Sequence, residues 1–324
     1  MSINDKPHTV VRVLQALLIG VLLLQSAPQL SWAWGNRGHQ LINRAAVQSL
    51  PKPLRAWFQA RLEYLVMHAS DPDTLAHNDP EERPHHYTEA DAYDRFPFAR
   101  LRQQFVLEHR PPTGLEIRHG TAIWEIGYYA RKLEEDFRAR RWGPANHDAV
   151  FMAHYAADIT QPLHTVANFD GQLTGQSGVH SRFESEMVNA LADGWRLHVA
   201  PAAEIPNVDK RIFDEYVRSY AEASAVFAAD RNAVSGLSYF DLRYLSRFCA
   251  LAGPIAEKRL EDAASFAGSL WYTAWVKAGS PDLSRWTVPR PTVGFGPYSS
   301  ARHFWKGRQS APRFAKHGSQ GSAD

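Results

Sequence analysis

Residues 154–164 read HYAADITQPLH, a helical segment that carries three potential metal ligands. His154 and Asp158 are four residues apart, so on a helix they share one face. Pro162 ends the helix, and His164 follows in the turn, where it can approach the same point. Imidazole nitrogens and carboxylate oxygens are ligands that zinc accepts in the absence of thiolates. The stretch therefore predicts a helix whose C-terminal end belongs to a metal site.

A second histidine–carboxylate pair with the same spacing follows within about 30 residues. His180 and Glu184, in the segment VHSRFE, are again four residues apart. One such pair alone is an ordinary surface ion pair. Two pairs with His164 between them indicate metal binding.

Apolar residues recur at helical spacing along most of the chain, and no convincing run of alternating β-branched residues interrupts them. The sequence predicts an all-α fold with one mainly helical domain over residues 34–283. The segment 71–114 is rich in Asp, Pro and His and predicts a long ordered loop, which in a compact domain is usually functional. Helices are predicted at 38–50, 54–68, 115–141, 146–160, 181–192, 207–230, 238–262 and 262–278.

Composition excludes several classes of protein. With 44% hydrophobic residues the chain is neither disordered nor collagen-like. The 36 Lys and Arg against 34 Asp and Glu give a net charge of +2, too small for nucleic-acid binding by bulk charge, so a polyanion must be held by a local site. The single Cys249 excludes an intrachain disulfide.

The first 33 residues have the pattern of a secretory signal peptide. The apolar run 13–24 follows two basic residues and is shorter than the roughly 20 residues of a spanning helix. Ser31 and Ala33 are small residues at the positions that favour cleavage before Trp34. We expect a secreted or periplasmic protein without a stable membrane span. An uncleaved anchor is the alternative.

Residues 284–324 differ from the rest in composition. They carry seven Lys and Arg and one acidic residue, with Pro, Gly and Ser throughout. We expect a basic, flexible tail. The alternative is a patch that helps to gather an anionic substrate.

The motifs together resemble the S1/P1 nuclease and zinc-dependent phospholipase C superfamily. Its members are mostly helical phosphodiesterases with three zinc ions, and they share the order His-x3-Asp-x5-His followed by His-x3-Glu. Another hallmark is a mature N-terminal tryptophan whose amine and carbonyl bind zinc, with a histidine five residues later. The segment WGNRGH, from Trp34 to His39, fits this pattern at the predicted cleavage site. ASDPD at 69–73 and HYTEAD at 86–91 resemble the motifs of the remaining ligands.

The resemblance implies a ligand set for each ion and a monomer. Asp73 and Asp158 would be the catalytic carboxylates, with Asp158 bridging two ions beside a water that attacks the phosphodiester. His85 competes with His86 as a ligand, and Asp71 competes with Asp73. The implied sites are Asp73, His86, His154 and Asp158 for one zinc, Trp34, His39 and Asp158 for a second, and His164, His180 and Glu184 for the third.

The resemblance also implies a substrate, single-stranded DNA or RNA. Tyr87 would stack on a base and Glu89 would hydrogen-bond to it. Many nucleases of this type carry a phosphate-binding arginine where this chain has Ala76, and nearby Arg83 is a candidate substitute.

Two other functions remain open from the sequence. A phospholipase C would present apolar loop residues to a phospholipid bilayer, and Phe96 and Phe98 are candidates whose simpler role is core packing. A non-catalytic zinc-binding module is the third possibility, although structural zinc sites are usually single and closed.

Overall fold

Helices make up most of residues 34–283, the part of the chain that the computed structural model describes. The predicted signal peptide (1–33) and the predicted tail (284–324) lie outside the described residues. Within that part, the only strand-like contact is an isolated bridge between Thr88 and Gly120. The all-α prediction is confirmed.

Twelve α-helices follow one another along the described chain, together with short 3-10 and π turns. In chain order the helices are α1 (Gly35–Ser49), α2 (Lys52–Gln59), α3 (Leu62–Met67), α4 (Asp71–Asn78), α5 (Ala90–Tyr93), α6 (Ala99–Arg102), α7 (Ala122–Ala139), α8 (Trp142–Thr160), α9 (Val179–Ser181), α10 (Met187–Leu191), α11 (Val208–Val234) and α12 (Leu242–Lys277). The 3-10 turns are Arg83–His86, Gly114–His119 and Pro162–Thr165, and the π turns are Gln103–Leu107 and Arg182–Glu186.

Helix α8 runs through the middle of the molecule. From Ala149 to Thr160 every residue of it is buried, including His154 and Asp158. A helix that is buried on all sides belongs to the core of a larger assembly of helices. Helices α7, α12, α11 and α1 pack around it, and the two predicted ligands are thereby carried into the interior.

Helix α12 is one continuous helix, whereas the sequence predicted two, at 238–262 and 262–278. Its buried positions continue without interruption through Leu260, Ala263 and Ala264, so nothing breaks the helix at 262. The side chain of Asp241 caps the start by accepting from the backbone N–H of Arg243.

Helices α1 and α12 approach each other closely. A Cβ on Gly268 would lie 2.1 Å from the hydroxyl oxygen of Ser49 and 3.1 Å from the carbonyl oxygen of Ala46. Glycine at 268 therefore lets the two backbones come together, which fixes the position of α1 and of His39 on it.

The segment 71–114, predicted as a long ordered loop, is ordered but is divided into short helices. It contains α4, α5, α6, the 3-10 turn Arg83–His86 and the π turn Gln103–Leu107. Helices of four to eight residues carry too few apolar positions to show a period, so the sequence pattern could not reveal them.

The core has two parts, and the predicted ligands lie between them. One part surrounds Trp57, Phe58 and Trp271, and the rings of Phe58 and Trp271 stack at 4.5 Å. The other surrounds Trp34 and Phe183. Helices α1 and α8 contribute residues to both parts, so their ligand-bearing faces meet where the two parts join.

Candidate metal centre

Helices α1 and α8 bring His39, His154 and Asp158 together. His39 Nε2 lies 3.5 Å from Asp158 Oδ1, and His154 Nε2 lies 3.5 Å from Asp158 Oδ2. The i, i+4 relation within α8 thus directs both predicted side chains to one point. One ligand atom from each of the three residues lies within 4.8 Å of the others.

The 71–114 segment supplies Asp73 and His86 to the same point. His86 Nδ1 lies 3.1 Å from Asp158 Oδ2 and 3.4 Å from Asp73 Oδ1, while His154 Nε2 lies 3.3 Å from Asp73 Oδ1. Asp73, His86 and His154 therefore form a second compact group that shares His154 with the first.

His164, His180 and Glu184 form a third group next to these two. His180 Nε2 is 2.8 Å and His164 Nε2 is 3.5 Å from Glu184 Oε2. Gln161 Nε2 donates to the same carboxylate oxygen at 2.9 Å. His164 Nδ1 donates to the backbone carbonyl of His86 at 2.5 Å, which connects the third group to the second.

Backbone carbonyls fix the orientation of two of the imidazoles. His154 Nδ1 donates to the carbonyl of Ala69 at 2.9 Å, and His164 Nδ1 donates to that of His86. Because a carbonyl oxygen only accepts, Nδ1 of each ring carries a proton, and Nε2 is the nitrogen that faces the carboxylates and can bind a metal ion. Metal-binding histidines are oriented in this way by their outer neighbours.

Trp34 lies at the start of α1, fully buried beside Asp158. Its indole Nε1 donates to the carbonyl of Ala157 at 2.9 Å. Its own carbonyl accepts from the backbone N–H of Gly38 at 3.0 Å, and its φ of 51° turns the chain sharply into the helix. The structure thus places Trp34, His39 and Asp158 in one neighbourhood.

Several polar atoms of the three groups have no hydrogen-bond partner among the neighbouring side chains, and divalent cations would satisfy them. His39 Nε2, Asp73 Oδ2 and Asp158 Oδ1 are buried and have no hydrogen-bond partner. Buried polar atoms are nearly always satisfied, so each of these calls for a further neighbour. Nitrogen and carboxylate donors in closely spaced groups are the donor set that zinc takes.

The carboxylates hold negative charge in spite of burial. Burial opposes ionisation of Asp158, but the nearby imidazoles of His154 and His86 lower its pKa to about 2. The pKa of Glu184 is lowered to about 2 in the same way, chiefly by His180. Both side chains are therefore anionic at neutral pH, as a cation site requires.

The sequence left open whether His85 or His86, and whether Asp71 or Asp73, belongs to the site. The structure places the two members of each pair in different surroundings. His85 points away from the three groups: its Nδ1 lies 3.2 Å from Glu82 Oε2 and its Nε2 lies 3.7 Å from Glu125 Oε1. Burial opposes protonation of His85, but these two carboxylates raise its pKa to about 9. Asp71 pairs with His68 at 2.7 Å, outside the groups.

Tyr87 and Glu89 extend from His86 along the edge of the site. The backbone N–H of Thr88 donates to the carbonyl of His164 at 3.0 Å, which holds this segment against the third group. Gly120 crosses it so closely that a Cβ would lie 2.0 Å from the carbonyl oxygen of Tyr87. The phenol of Tyr87 donates to the carbonyl of Arg118 at 3.2 Å.

A family model described as S1/P1 Nuclease matches residues 34–228. The chain belongs to the S1/P1 nuclease family. It is therefore a hydrolase that acts on phosphodiester bonds of nucleic acid, and its family is zinc-dependent. Among the curated proteins searched, none matches the chain significantly.

Arg83 of this S1/P1 nuclease lies beside Ala76. Its Nε donates to the carbonyl of Ala76 at 3.2 Å, on the exposed side of the 3-10 turn. The guanidinium is thus close to the position at which the sequence lacks an arginine.

Phe96 and Phe98 do not form an exposed pair. Phe98 is fully buried, whereas Phe96 is 62% exposed. Among residues 34–283, no helix has both the length and the hydropathy needed to cross a bilayer.

Sequence reasoning missed three side chains that contact the predicted site of this nuclease. Glu82 lies next to His85 and His86, Gln161 bonds to Glu184, and His119 Nδ1 lies 2.9 Å from Glu89 Oε2. Glu82 precedes His86 by four residues, the spacing that revealed the other pairs, so it could have been found. Gln161 and His119 give no such signal, because their contacts depend on the turn that follows α8 and on the crossing at Gly120.

Proposed function

We propose that this S1/P1 nuclease binds three zinc ions and cleaves single-stranded nucleic acid with a water molecule as the nucleophile. The observation that carries the proposal is the proximity of three buried histidine–carboxylate groups, two that share His154 and a third connected to them by the hydrogen bond from His164 to the carbonyl of His86. A single structural zinc would need only four of these ligands.

Three ligand sets, drawn from these groups and from Trp34, are proposed to hold one ion each. The first ion takes Trp34, His39 and Asp158, and the second takes Asp73, His86, His154 and Asp158. The third takes His164, His180 and Glu184. Asp158 is proposed to bridge the first two ions, and its contacts support this because Oδ1 faces His39 while Oδ2 faces His86 and His154.

In the proposed mechanism, zinc in these sites supplies Lewis-acid activation of a water and neutralisation of the phosphodiester charge. The side chains of the site hold the reacting groups in place and take up the proton that the attacking water releases. Asp73 Oδ2 is buried and has no hydrogen-bond partner, so it is proposed to accept the proton of the attacking water. No serine or cysteine nucleophile takes part, and we expect no covalent intermediate.

Tyr87 and Glu89 are proposed to bind an unpaired base. An aromatic face next to the metal ligands stacks on any base without demanding a sequence, and bases in a duplex are not accessible for such stacking. The contact of Tyr87 with the Arg118 carbonyl supports a fixed ring position. Arg83 is proposed to contact a phosphate of the strand.

The proposal includes export and activation by cleavage before Trp34. The family match begins at Trp34, the residue whose amine is released by the predicted cleavage. Residues 1–33 are proposed to direct the protein to a secreted or periplasmic location, residues 34–283 to form the catalytic domain, and residues 284–324 to be a basic tail. The mature protein is proposed to be a monomer.

The test uses purified protein that begins at Trp34. Single-stranded DNA, single-stranded RNA, duplex DNA and phosphatidylcholine vesicles are incubated with it side by side, and zinc per chain is measured by atomic emission. We expect about three zinc ions and cleavage of the single strands. Hydrolysis of phosphatidylcholine without cleavage of nucleic acid, or one zinc ion with no hydrolysis at all, would contradict the proposal.

A further inference from the structure

A buried polar cluster lies behind His86, outside the proposed ligand set. It consists of Glu82, His85, Glu125 and Tyr155, and all four side chains are buried. Burying two carboxylates is costly unless they are paired and hydrogen-bonded. The cluster forms a chain of contacts from Glu125 on α7 to His86 in the proposed metal site.

The two nitrogens of the His86 ring face different surroundings. Nδ1 faces Asp158 and Asp73, at 3.1 and 3.4 Å. Nε2 is buried without a hydrogen-bond partner, and Glu82 Oε1 lies 3.9 Å from it. If Nδ1 binds a metal ion, Nε2 carries the proton, and the Glu82 carboxylate lies at ion-pair distance from it, although beyond hydrogen-bond distance.

Glu82 is held in place on two sides. The phenol of Tyr155, the residue after His154 on α8, donates to Oε1 of Glu82. His85 Nδ1 donates to the other oxygen, Oε2, at 3.2 Å. The carboxylate therefore has little freedom to turn away from His86.

His85 is in turn placed between two carboxylates. Its Nε2 points at Glu125 Oε1, 3.7 Å away. Glu125 is fully buried on α7, neither of its oxygens has a hydrogen-bond partner, and the imidazole of His85 lies at ion-pair distance from it. Both ring nitrogens of His85 are thus directed at carboxylates behind the site.

We infer that Glu82 is a positioning residue that accepts a hydrogen bond from the Nε2–H group of His86 when Nδ1 binds the metal ion, and thereby holds Nδ1 toward the metal site. His85 and Glu125 fix the carboxylate of Glu82 and bind no metal. The inference rests on the proposed zinc sites. Carboxylates in such outer positions raise the basicity of a histidine ligand and fix its ring, and their loss typically weakens metal binding about 10- to 100-fold.

The experiment measures zinc affinity in Glu82→Gln, by competition with a chromophoric chelator at fixed pH. We expect one of the bound ions to be weakened at least tenfold, while the other two keep their wild-type affinity. Glu81→Gln removes the same charge from the exposed neighbouring residue and should leave all affinities unchanged. In His85→Gln the number of zinc ions should stay the same as in the wild type, whereas removal of a direct ligand would lower it by one.

Two results would overturn the inference. One is wild-type zinc affinity in Glu82→Gln, with only a lower melting temperature, since this is what a merely structural role produces. The other is the loss of a zinc ion in His85→Gln. If Glu82→Gln does not fold, Glu125→Gln serves in its place. We expect it to weaken the binding of the same ion by a smaller factor. Unchanged zinc affinity in Glu125→Gln would then count against the inference.

Failure of this inference is distinguishable from failure of the proposed function. If wild-type protein binds three zinc ions and cleaves single strands while Glu82→Gln binds zinc normally, only the role of Glu82 is wrong. If the wild type itself lacks zinc or activity, the proposed function is wrong.

Discussion

His39 and His154 stack face to face, with ring centroids 4.0 Å apart and ring planes inclined by 15°. The two residues lie on different helices, and each faces Asp158. Burial and the neighbouring His154 lower the pKa of His39 to about 4, so His39 is neutral at physiological pH. The stack connects α1, at the start of the described chain, to the central helix α8. The imidazole nitrogens of both residues are ligands that suit a metal ion.

Removal of zinc should destabilise the protein. Without the ions, the buried carboxylates Asp73, Asp158 and Glu184 lose their proposed partners, and α1 loses a tether to α8. We expect a chelator to lower the melting temperature by roughly 5–15 °C. The melting is monitored by circular dichroism at 222 nm. Added zinc should restore the melting temperature. An unchanged melting temperature after verified zinc removal would contradict a tethering role.

Asp158→Asn should abolish activity and remove most of the bound zinc. The carboxylate faces His39 with one oxygen and His86 and His154 with the other, so its loss affects two proposed ions. We expect about two fewer zinc ions per chain and a loss of kcat/KM of roughly 10³-fold or more, measured on single-stranded DNA.

Asp193→Asn is the matched control for this change, because the Asp193 side chain is 90% exposed. It should keep wild-type zinc content and activity. An Asp158→Asn variant with full zinc content would rule out the bridging role.

Tyr87→Ala should weaken substrate binding more than Tyr87→Phe. Stacking contributes about 1–3 kcal/mol per base, and phenylalanine keeps the ring while losing only the bond to the Arg118 carbonyl. We expect KM for a short single-stranded oligonucleotide to rise about tenfold in Tyr87→Ala and less than about threefold in Tyr87→Phe. Equal effects of both substitutions would show that stacking is not involved.

Arg83→Ala should raise KM and reduce the salt dependence of binding. One phosphate contact to a single strand contributes a slope of about 0.7 in a plot of log affinity against log salt concentration. The control is Arg55→Ala, which removes another arginine whose Nε donates to a backbone carbonyl, that of Leu50 at 2.8 Å. An unchanged salt slope in Arg83→Ala would exclude the phosphate contact.

Asp148→Asn should change how stability depends on pH. Burial and the Asp148 carboxylate raise the pKa of Asp136 from 3.8 to about 6. Between these values the folded protein keeps a proton that the unfolded chain has released, so the free energy of unfolding falls as pH rises from about 4 to about 6.

Replacing Asp148 removes part of this effect. We expect Asp148→Asn to be more stable than the wild type at pH 7 by on the order of 1 kcal/mol, and the difference to shrink at pH 4.5. Urea unfolding of metal-free protein measures both values, so that zinc release at low pH does not contribute. Asp193→Asn should show no such difference, and a gain of equal size at both pH values would contradict the explanation.

Most of the candidate site was predictable because it is encoded in local spacing. The pairs His154 with Asp158 and His180 with Glu184 converge through the geometry of single helical segments, and the structure brings all four into the three groups. The helical class followed from the period of the apolar residues. The role of the two histidine–carboxylate pairs as zinc ligands stays a prediction until zinc is measured.

Sequence spacing could not separate adjacent candidates. His85 and His86 are neighbours in one 3-10 turn, and which of them faces Asp158 depends on how that turn is held by Glu82, Tyr155 and the rest of the fold. Likewise, whether Asp71 or Asp73 faces the site depends on which side of the short helix α4 packs toward α8. The short helices of 71–114 were missed because helices of four to eight residues have too few apolar positions to show a period.

The sequence by itself determined the helical class, the histidine–carboxylate pairs and the single motifs that resemble those of the S1/P1 nucleases, since each of these depends on residues close together in the chain. Only the tertiary structure decided that Trp34 and His39 lie beside Asp158, that α12 is continuous, and that Glu82 stands behind His86. These relationships join distant segments, and the close packing of helices, as at Gly268, sets them rather than any local spacing.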